Sequence, residues 1–379
     1  MSSLIDTPEA GTLPASALSQ DEAFARIRLL RSPNVAPVSY RQLLARFGTA
    51  VEALDALPDV AGRGGRPYQV ASADRVRSEI EQVRRSGARY LFHDSPDYPF
   101  ALACTEGAPA ILTVKGDAAL AGRPCVAVVG ARNASAGAVK LARDFAQGLA
   151  SRGVTVVSGL ARGIDGAAHR GALAAGGATV GVIASGIDLA YPPEHGDLQA
   201  EIAERGLLLA EQPPGTEPLA RHFPTRNRII AGLSAATLVV EAAPKSGSLI
   251  TARLAGEMGR EVMAIPGSPL DPRSHGCNGL IREGAVLVQS VEDVLELLTA
   301  FDGTPRSTFR EVREDWQVEE AADRAPAEVA DLLSTAPVAI DELVRQTGSS
   351  AAAVHLALLE LELAGRLVRH AAGRVSLGG

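Results

Sequence analysis

The chain has 379 residues, 46% of them hydrophobic, and its 37 basic and 44 acidic side chains give a formal net charge of −7. This length allows two or three domains with a large apolar core. The negative balance excludes a protein that covers nucleic acid with its whole surface, so a site for a polyanion has to be a local patch.

Cysteine usage and the distribution of apolar residues favour a cytoplasmic protein. Cys104, Cys125 and Cys277 are scattered, without the paired spacing of a zinc site or a disulfide framework. Residues 1–19 have neither a basic start nor a continuous apolar run. No other stretch approaches the roughly 20 apolar residues of a membrane span. We therefore expect a soluble protein that contacts no membrane and holds no metal.

The first 85 residues predict a disordered tail and a small helical domain. Residues 1–19 are small and polar and contain two prolines, a composition typical of disorder. Over residues 20–85 apolar residues recur at helical spacing, with proline and glycine between the runs. This pattern predicts helices that pack around one small core.

From Pro124 the pattern changes to short apolar runs, each followed by a glycine- or serine-rich turn and a helical stretch. The runs predict strands at 125–129, 154–157, 179–183, 207–209, 237–240 and 262–265. Uniformly apolar strands that alternate with helices are typical of a parallel sheet covered on both faces. We predict an α/β fold with a Rossmann-like, doubly wound parallel sheet in a domain over residues 86–300.

The remaining residues predict a linker and a winged helix. Residues 301–326 are rich in charge and predict the linker. Helical spacing at 327–334, 339–346 and 350–364 is followed by a two-strand pattern around Gly373, so the predicted winged helix covers 327–379. Its third helix has no Lys or Arg before Gly365, and we expect it to contact protein rather than DNA phosphates.

The segment 221–232 reads RHFPTRNRIIAG and is the most informative part of the chain. Arginine binds phosphate in two-point geometry, and an aromatic face stacks on a base. We interpret the segment as a loop that binds nucleic acid. The alternative is a helix cap whose arginines pair with carboxylates elsewhere, and the distance to Glu217 and Glu241 makes it our second choice. The candidate residues are Arg221, Phe223, Arg226, Asn227 and Arg228.

Polar turns follow three of the predicted strands. In an open parallel sheet, ligands bind outside the carboxyl ends of the strands, where helix N-termini present free amides. The first turn, GARNASAG at 130–137, contributes Gly130 and Arg132. It does not match Gly-x-Gly-x-x-Gly, and no acid ends the second strand to hold a ribose, so we expect no nicotinamide cofactor.

The turn after the second strand reads SGLARGIDGAAH at 158–169. We expect its glycines to let the backbone approach a ligand. Asp165 and His169 are four residues apart, and we expect them to bond to each other at a helix start. A hydrolytic triad with the serine of this turn is disfavoured because the chain lacks a nucleophile elbow. The candidate ligand contacts are Ser158, Gly159 and Arg162.

The turn after the fifth strand reads EAAPKSGSLITAR at 241–253 and predicts an anion site at a helix start. It lacks the Walker order, so ATP hydrolysis has no support. Two further expectations concern residues at the edge of the predicted binding site. Asn278 caps its own helix, and Tyr191 and Phe223 stack on bases. The candidate anion contacts of this turn are Lys245, Ser246, Gly247 and Ser248.

Six stretches, taken in order, carry a resemblance to a known family. They read VAVVGAR (126–132), SGLARGIDGAAH (158–169), FPTRNRIIAGLS (223–234), KSGSLITA (245–252), IPG (265–267) and GCNGLI (276–281). With them the chain resembles the DNA-processing protein A family, DprA, also called Smf. The resemblance covers about residues 20–379 and implies a sterile-alpha-motif-like helical domain at 20–85 and a C-terminal winged helix.

The resemblance also implies a function and site residues. The family binds single-stranded DNA without sequence preference, forms homodimers and loads the RecA recombinase in natural transformation, during competence and homologous recombination. It needs no cofactor and is not an enzyme. Arg132 and Lys245 match its phosphate-contacting residues, and Arg226 and Arg228 match its Phe-Pro-x-Arg-Asn-Arg motif. Ala131 replaces a usual serine, which puts one hydroxyl contact in doubt.

Two rival hypotheses accompany this expectation. The first rival is an enzyme, because the predicted Rossmann variant also resembles that of the nucleotide phosphoribohydrolases. Residues 244–257 read PKSGSLITARLAGE, however, and lack the catalytic glutamate of those enzymes at the expected place. A transcription factor that reads DNA with its winged helix is disfavoured by the uncharged third helix. Weak binding of duplex DNA stays open. For single strands, we expect five cations to converge at the strand ends: Arg132, Arg162, Arg226, Arg228 and Lys245.

Overall fold

Four helices form the first part of the computed structural model, which describes residues 18–62, 68–298, 328–370 and 373–378. Ser19 caps the first helix, since its Oγ accepts a hydrogen bond from the amide of Glu22 at 3.1 Å. The helices pack their apolar faces together around fully buried leucines such as Leu43. They are α1 (Gln20–Leu30), α2 (Pro37–Phe47), α3 (Ala50–Gly62) and α4 (Ala73–Arg85).

The central domain is built on a nine-stranded sheet in the order β1-β2-β6-β5-β4-β3-β7-β8-β9. Strands β3 to β9 are parallel, whereas β1 and β2 are antiparallel to their neighbours at one edge. The strands are β1 (Arg89–Phe92), β2 (Ile111–Gly116), β3 (Cys125–Val129), β4 (Thr155–Ser158), β5 (Thr179–Ile183), β6 (Leu207–Ala210), β7 (Ala236–Val239), β8 (Glu261–Ala264) and β9 (Val286–Leu287).

Helices cover both faces of this sheet. Along β3, the side chains of Cys125, Ala127 and Val129 enter one apolar cluster, and those of Val126 and Val128 enter another on the opposite face. The predicted doubly wound α/β fold is therefore confirmed. The helices are α5 (Phe100–Ala103), α6 (Ala136–Ala150), α7 (Ile164–Ala174), α8 (Gly196–Arg205), α9 (His222–Leu233), α10 (Ser248–Glu257), α11 (His275–Arg282) and α12 (Val291–Leu298).

The six predicted strands lie within one residue of β3 to β8, but the prediction of a wholly parallel sheet was incomplete. It lacked β9 and the antiparallel pair β1 and β2. The strand order reverses at β3, because the chain passes from β3 through β4 and β5 to β6 and then crosses to β7 on the other side of β3. Such a reversal opens a crevice outside the carboxyl ends of the strands.

The C-terminal part is a winged helix with a small sheet in the order β10-β12-β11. Its third helix, α15, packs on the N-terminal helices: Leu359 and Leu363 enter the same apolar cluster as Leu43, and Asn34 Nδ2 donates a hydrogen bond to the Leu363 carbonyl at 2.9 Å. The elements are α13 (Glu328–Leu332), β10 (Val338–Ala339), α14 (Ile340–Thr347), α15 (Ala351–Leu363), β11 (Leu367–His370) and β12 (Arg374–Leu377).

Two of the sequence predictions lie outside the described residues. They are the disordered tail, apart from residues 18 and 19, and the charged linker over 301–326. None of the helices that the structure describes has the length and apolar character that a membrane crossing requires.

Candidate functional site

A crevice of about 720 Å³ opens at the strand reversal, outside the carboxyl ends of β3 and β7. The turns after these two strands and the first residues of α9 and α10 form its walls. A smaller pocket beside it adds Arg162, Tyr191 and Pro192 from the neighbouring turns. The basic side chains that line the crevice itself are Arg132, Arg226, Lys245 and Arg273.

The turn after β3 is fixed by the acid that follows β7. Both carboxylate oxygens of Glu241 accept hydrogen bonds from Ser135, one from its amide at 2.9 Å and one from its hydroxyl at 2.6 Å. The Glu241 carbonyl accepts a third bond from the Ala131 amide at 2.7 Å. Glu241 is thus engaged by Ser135 and Ala131, and the exposed Arg132 forms no ion pair among the described residues.

Arg226 is the buried cation of the site. The segment 221–232 is not the predicted loop: α9 begins at His222, and Arg226 lies one turn into it with 6% of its surface exposed. Its Nε has no hydrogen-bond partner within the described part of the chain, where no carboxylate forms an ion pair with it. Burial lowers the pKa of Arg226 to about 10, and the charge of Asp165 opposes this shift. The guanidinium therefore stays protonated at neutral pH.

Gly159 makes room for that guanidinium. A β-carbon at position 159 would lie 1.3 Å from a terminal nitrogen of Arg226. A protein side chain therefore occupies the space that this glycine leaves, while the Gly159 backbone lines the smaller pocket and its contact with a ligand stays a prediction. Gly130 is similar, since a β-carbon there would lie 2.5 Å from Ile164. Ser158 is fully buried and donates to the Val128 carbonyl at 2.7 Å, so its hydroxyl is not available to a ligand.

Asp165 and His169 do not bond to each other, contrary to the sequence prediction. Asp165 accepts hydrogen bonds from the amides of Gly159 at 3.1 Å and Ala161 at 3.4 Å. His169 Nδ1 bonds instead with Thr179 Oγ1 at 2.7 Å. Burial lowers the pKa of His169 to about 3 and raises the pKa of Asp165. The histidine is neutral at physiological pH, and these groups form no hydrolytic triad.

The turn after β7 presents the start of α10 to the crevice, as predicted. Ser246 and Ser248 bond through their hydroxyls at 2.8 Å, and α10 begins at Ser248. The positive end of a helix dipole therefore faces the crevice beside the exposed Lys245. Asn227 Nδ2 donates to the Gly247 carbonyl at 3.4 Å, so this side chain connects α9 to the turn.

Two aromatic rings stand at the rim. Tyr191 and Phe223 lie with ring centroids 5.8 Å apart at an angle of 57°. The Arg132 guanidinium lies over the Phe223 ring, 4.9 Å from its centroid. Tyr191 is 43% exposed. A cation and two aromatic rings thus lie together at the edge of the crevice.

The structure does not bring all predicted cations into the crevice. Arg228 points elsewhere and pairs with Glu211, and Arg221 is exposed just before α9 without lining the crevice. Arg162 reaches the adjoining pocket but is paired with Glu194. The convergence of all five is therefore corrected to Arg132, Arg226 and Lys245, with Arg162 at the rim.

Two other residues differ from the sequence expectations. Asn278 does not cap its helix, because it exchanges hydrogen bonds with the Gly267 amide at 3.2 Å and carbonyl at 2.9 Å. Sequence reasoning missed Arg273, which lines the crevice and pairs with Asp271 at 2.9 Å. It follows the sixth predicted strand, so the same strand-end rule could have found it.

Fold and site define a class of protein: a Rossmann-like domain with a cationic crevice at its strand reversal, between a helical domain and a winged helix. The profile of the family "DNA recombination-mediator protein A" matches residues 89–299. The "DprA-like N-terminal HHH domain" matches residues 20–81, and the "DprA winged helix domain" matches 315–373. The chain belongs to the DNA recombination-mediator protein A family, DprA.

Relatives and solved structures agree. Protein Smf of Escherichia coli K12 is 40% identical over 307 residues, which cover 80% of this chain and 81% of that protein. DNA processing protein DprA of Streptococcus pneumoniae R6 is 50% identical over 198 residues, which cover 52% of this chain and 70% of that one. The X-ray structure of Streptococcus pneumoniae DprA matches with a TM-score of 0.61 at 37% identity, covering 74% of this chain and 98% of that chain.

A second solved structure concerns the single-stranded DNA binding mode of DNA processing protein A from Helicobacter pylori. It matches with a TM-score of 0.51 at 30% identity, covering 56% of this chain and 97% of that chain.

The buried His169 predicts an acid-sensitive fold. Its pKa of about 3 lies below the ordinary value of 6.5, so the unfolded chain binds this proton more readily. Stability is then lost as the pH falls below about 6.5, by about 2 kcal/mol at pH 5. Urea unfolding from pH 7 to pH 5 should show this loss, and His169→Gln should flatten it. An equal acid slope in both proteins would contradict the assignment.

Proposed function

We propose that the crevice binds single-stranded DNA without sequence preference. The observation that carries the proposal is Arg226, a buried guanidinium that forms no ion pair in the described chain and lines the crevice together with the exposed Arg132 and Lys245. A buried charge without a hydrogen-bonded partner costs several kcal/mol. An anion that enters the crevice would offset this cost.

The phosphates of a strand fit the cationic wall. Arg132 and Lys245 are exposed on the turns after β3 and β7, and both line the crevice together with Arg226 and the first residue of α10. Arginine and free helix amides both suit phosphate oxygens. Contacts of this kind hold the backbone and carry no sequence information.

The bases of the same strand fit the aromatic rim. Phe223 and Tyr191 offer faces on which any base can stack, and such stacking is sequence-tolerant. A duplex presents phosphates but keeps its base faces covered. We therefore expect duplex DNA to bind more weakly than a single strand.

Hydrolysis of a nucleotide finds no support in this crevice. Among its lining residues the only carboxylate is Asp165, which is buried and accepts two backbone amides. Glu257, which closes the segment compared with the phosphoribohydrolase signature, pairs with Arg253 at the far end of α10. The lining residues thus provide no general acid within reach of a bound nucleotide.

We further propose that the protein pairs with itself and delivers the bound strand to the RecA recombinase during homologous recombination and natural transformation. The family to which the chain belongs is one of recombination mediators. The Streptococcus pneumoniae and Bacillus subtilis relatives are DNA processing proteins. A cytoplasmic protein without a cofactor or an enzymatic step fits this role.

Charge removal at the crevice should weaken single-strand binding and reduce its salt dependence. Each lost phosphate contact lowers the slope of log K against log salt by about 0.7. We expect this loss for Arg132→Ala and for Lys245→Ala in titrations of labelled oligonucleotides, single- and double-stranded, at several salt concentrations. Lys140→Ala is the matched control, because Lys140 is exposed on α6 and pairs with Asp144.

Affinity for a single strand that stays equal in Arg132→Ala, Lys245→Ala and Lys140→Ala at low salt would refute the site assignment. The mass of the protein measured in the same titration should correspond to two copies. A single-copy mass across the concentration range would refute self-association and leave the site unaffected.

Delivery to RecA can be measured separately from binding. On a strand already coated with a single-strand-binding protein, we expect this protein to shorten the lag before RecA hydrolyses ATP. The double variant Arg132→Ala with Lys245→Ala should leave the lag unchanged. If the wild-type protein binds the strand and the lag does not shorten, the mediator proposal fails while the binding proposal stands.

A further inference from the structure

We propose that Arg228 is a positioning residue that holds α9 in place and does not touch DNA. The inference rests on the proposed binding of single-stranded DNA to the crevice. The two arginines of segment 221–232 then have different roles. Arg226 contacts the DNA strand, and Arg228 fixes the position of the helix that carries Arg226.

The two arginines point in different directions from α9. Residues two apart on a helix are separated by about 200° around its axis. Arg226 lines the crevice, whereas the Arg228 guanidinium donates to the Glu211 carboxylate and to the Gly107 carbonyl. The side chains of Arg228 and Glu211 are 17% and 18% exposed, so the pair is largely shielded from water. A phosphate in the crevice cannot replace these partners.

The loop that receives Arg228 is itself held from the N-terminal domain. Arg41 of α2 donates to the Glu106 carbonyl at 2.6 Å and to the Ala108 carbonyl at 3.3 Å. Tyr98 donates to the Pro109 carbonyl at 2.7 Å. Arg228 therefore bonds to a fixed point of the loop and, through Glu211, to the residue that follows β6.

The consequence concerns the first half of α9. That half carries Phe223 and Arg226, which face the proposed DNA path. The second half is held by close packing, since a β-carbon at Gly232 would lie 2.8 Å from Leu102. Arg228 directly follows that half, and without its bonds α9 loses its ties to the loop and to Glu211 at this point. A displacement of about 1 Å at a binding group is enough to cost a tenfold or larger factor.

Replacing Glu211 distinguishes a positioning role of Arg228 from direct contact with DNA, because the two roles predict opposite changes in DNA affinity. If Arg228 bound phosphate, removing the acid that neutralises it would strengthen polyanion binding. If Arg228 positions α9, removing Glu211 breaks the anchor and weakens binding, although the protein becomes less negative. Met is a straight-chain replacement for both side chains, which keeps much of the buried volume.

The test uses the full chain and an oligothymidylate that carries one 2-aminopurine, titrated at several salt concentrations. We expect Arg228→Met and Glu211→Met each to weaken binding by about tenfold. The salt slope should stay that of the wild type, and the 2-aminopurine fluorescence of the bound state should change because Phe223 moves. The double variant should bind no worse than the weaker single variant. Glu81→Met is the charge control, since Glu81 is exposed and pairs with Arg85 on α4.

The inference is overturned if Glu211→Met tightens binding or leaves it unchanged. A salt slope that drops by about 0.7 in Arg228→Met, as a lost phosphate contact requires, also overturns it. Thermal unfolding of each variant shows whether it is folded during the titration. If Arg228→Met does not fold, the sign of the Glu211→Met effect decides alone. If the wild-type protein binds no oligonucleotide, the proposed function fails and this inference fails with it, whereas a wild-type protein that binds beside a Glu211→Met variant that does not weaken overturns the inference alone.

Discussion

The site depends on one unusual constraint, a guanidinium buried at the strand reversal that forms no ion pair with any carboxylate in the described part of the chain. Arg226 can occupy that position because Gly159 has no side chain. The acids nearby are engaged elsewhere: Glu241 binds the turn after β3, and Asp165 binds two amides of the turn after β4. The surrounding turns thus leave the Arg226 guanidinium available to a ligand, and an anion that is not part of the protein can bind it.

Much of this site could be predicted from the sequence because the strand-end rule is geometric. Apolar runs located β3 to β8 within one residue, and the turns after them supplied Arg132 and Lys245. The prediction missed the two edge strands because β9 has only two residues and only one of the four residues of β1 is buried. The distinction between Arg226 and Arg228 also escaped. It requires knowing that 221–232 is a helix and that Glu211, 17 residues before Arg228, lies beside it.

The negative net charge of the chain agrees with a local site. Many of the described arginines outside the crevice are paired with acids, as Arg228 is with Glu211 and Arg369 with Glu362. The winged helix agrees with this pattern, because α15 has no Lys or Arg and buries Leu359 and Leu363 against the N-terminal helices. Its packing surface is protein, which agrees with our proposal that a polyanion binds in the crevice of the central domain.

The most direct test of this account is to replace Arg226 by Met and measure folding and binding in the same protein. Removing a buried charge that has no partner should raise the free energy of unfolding by on the order of 1 kcal/mol. The same change should abolish single-strand binding, because the central anion contact is gone. A fold that becomes less stable, or an affinity for single-stranded DNA that survives the substitution, would contradict the account.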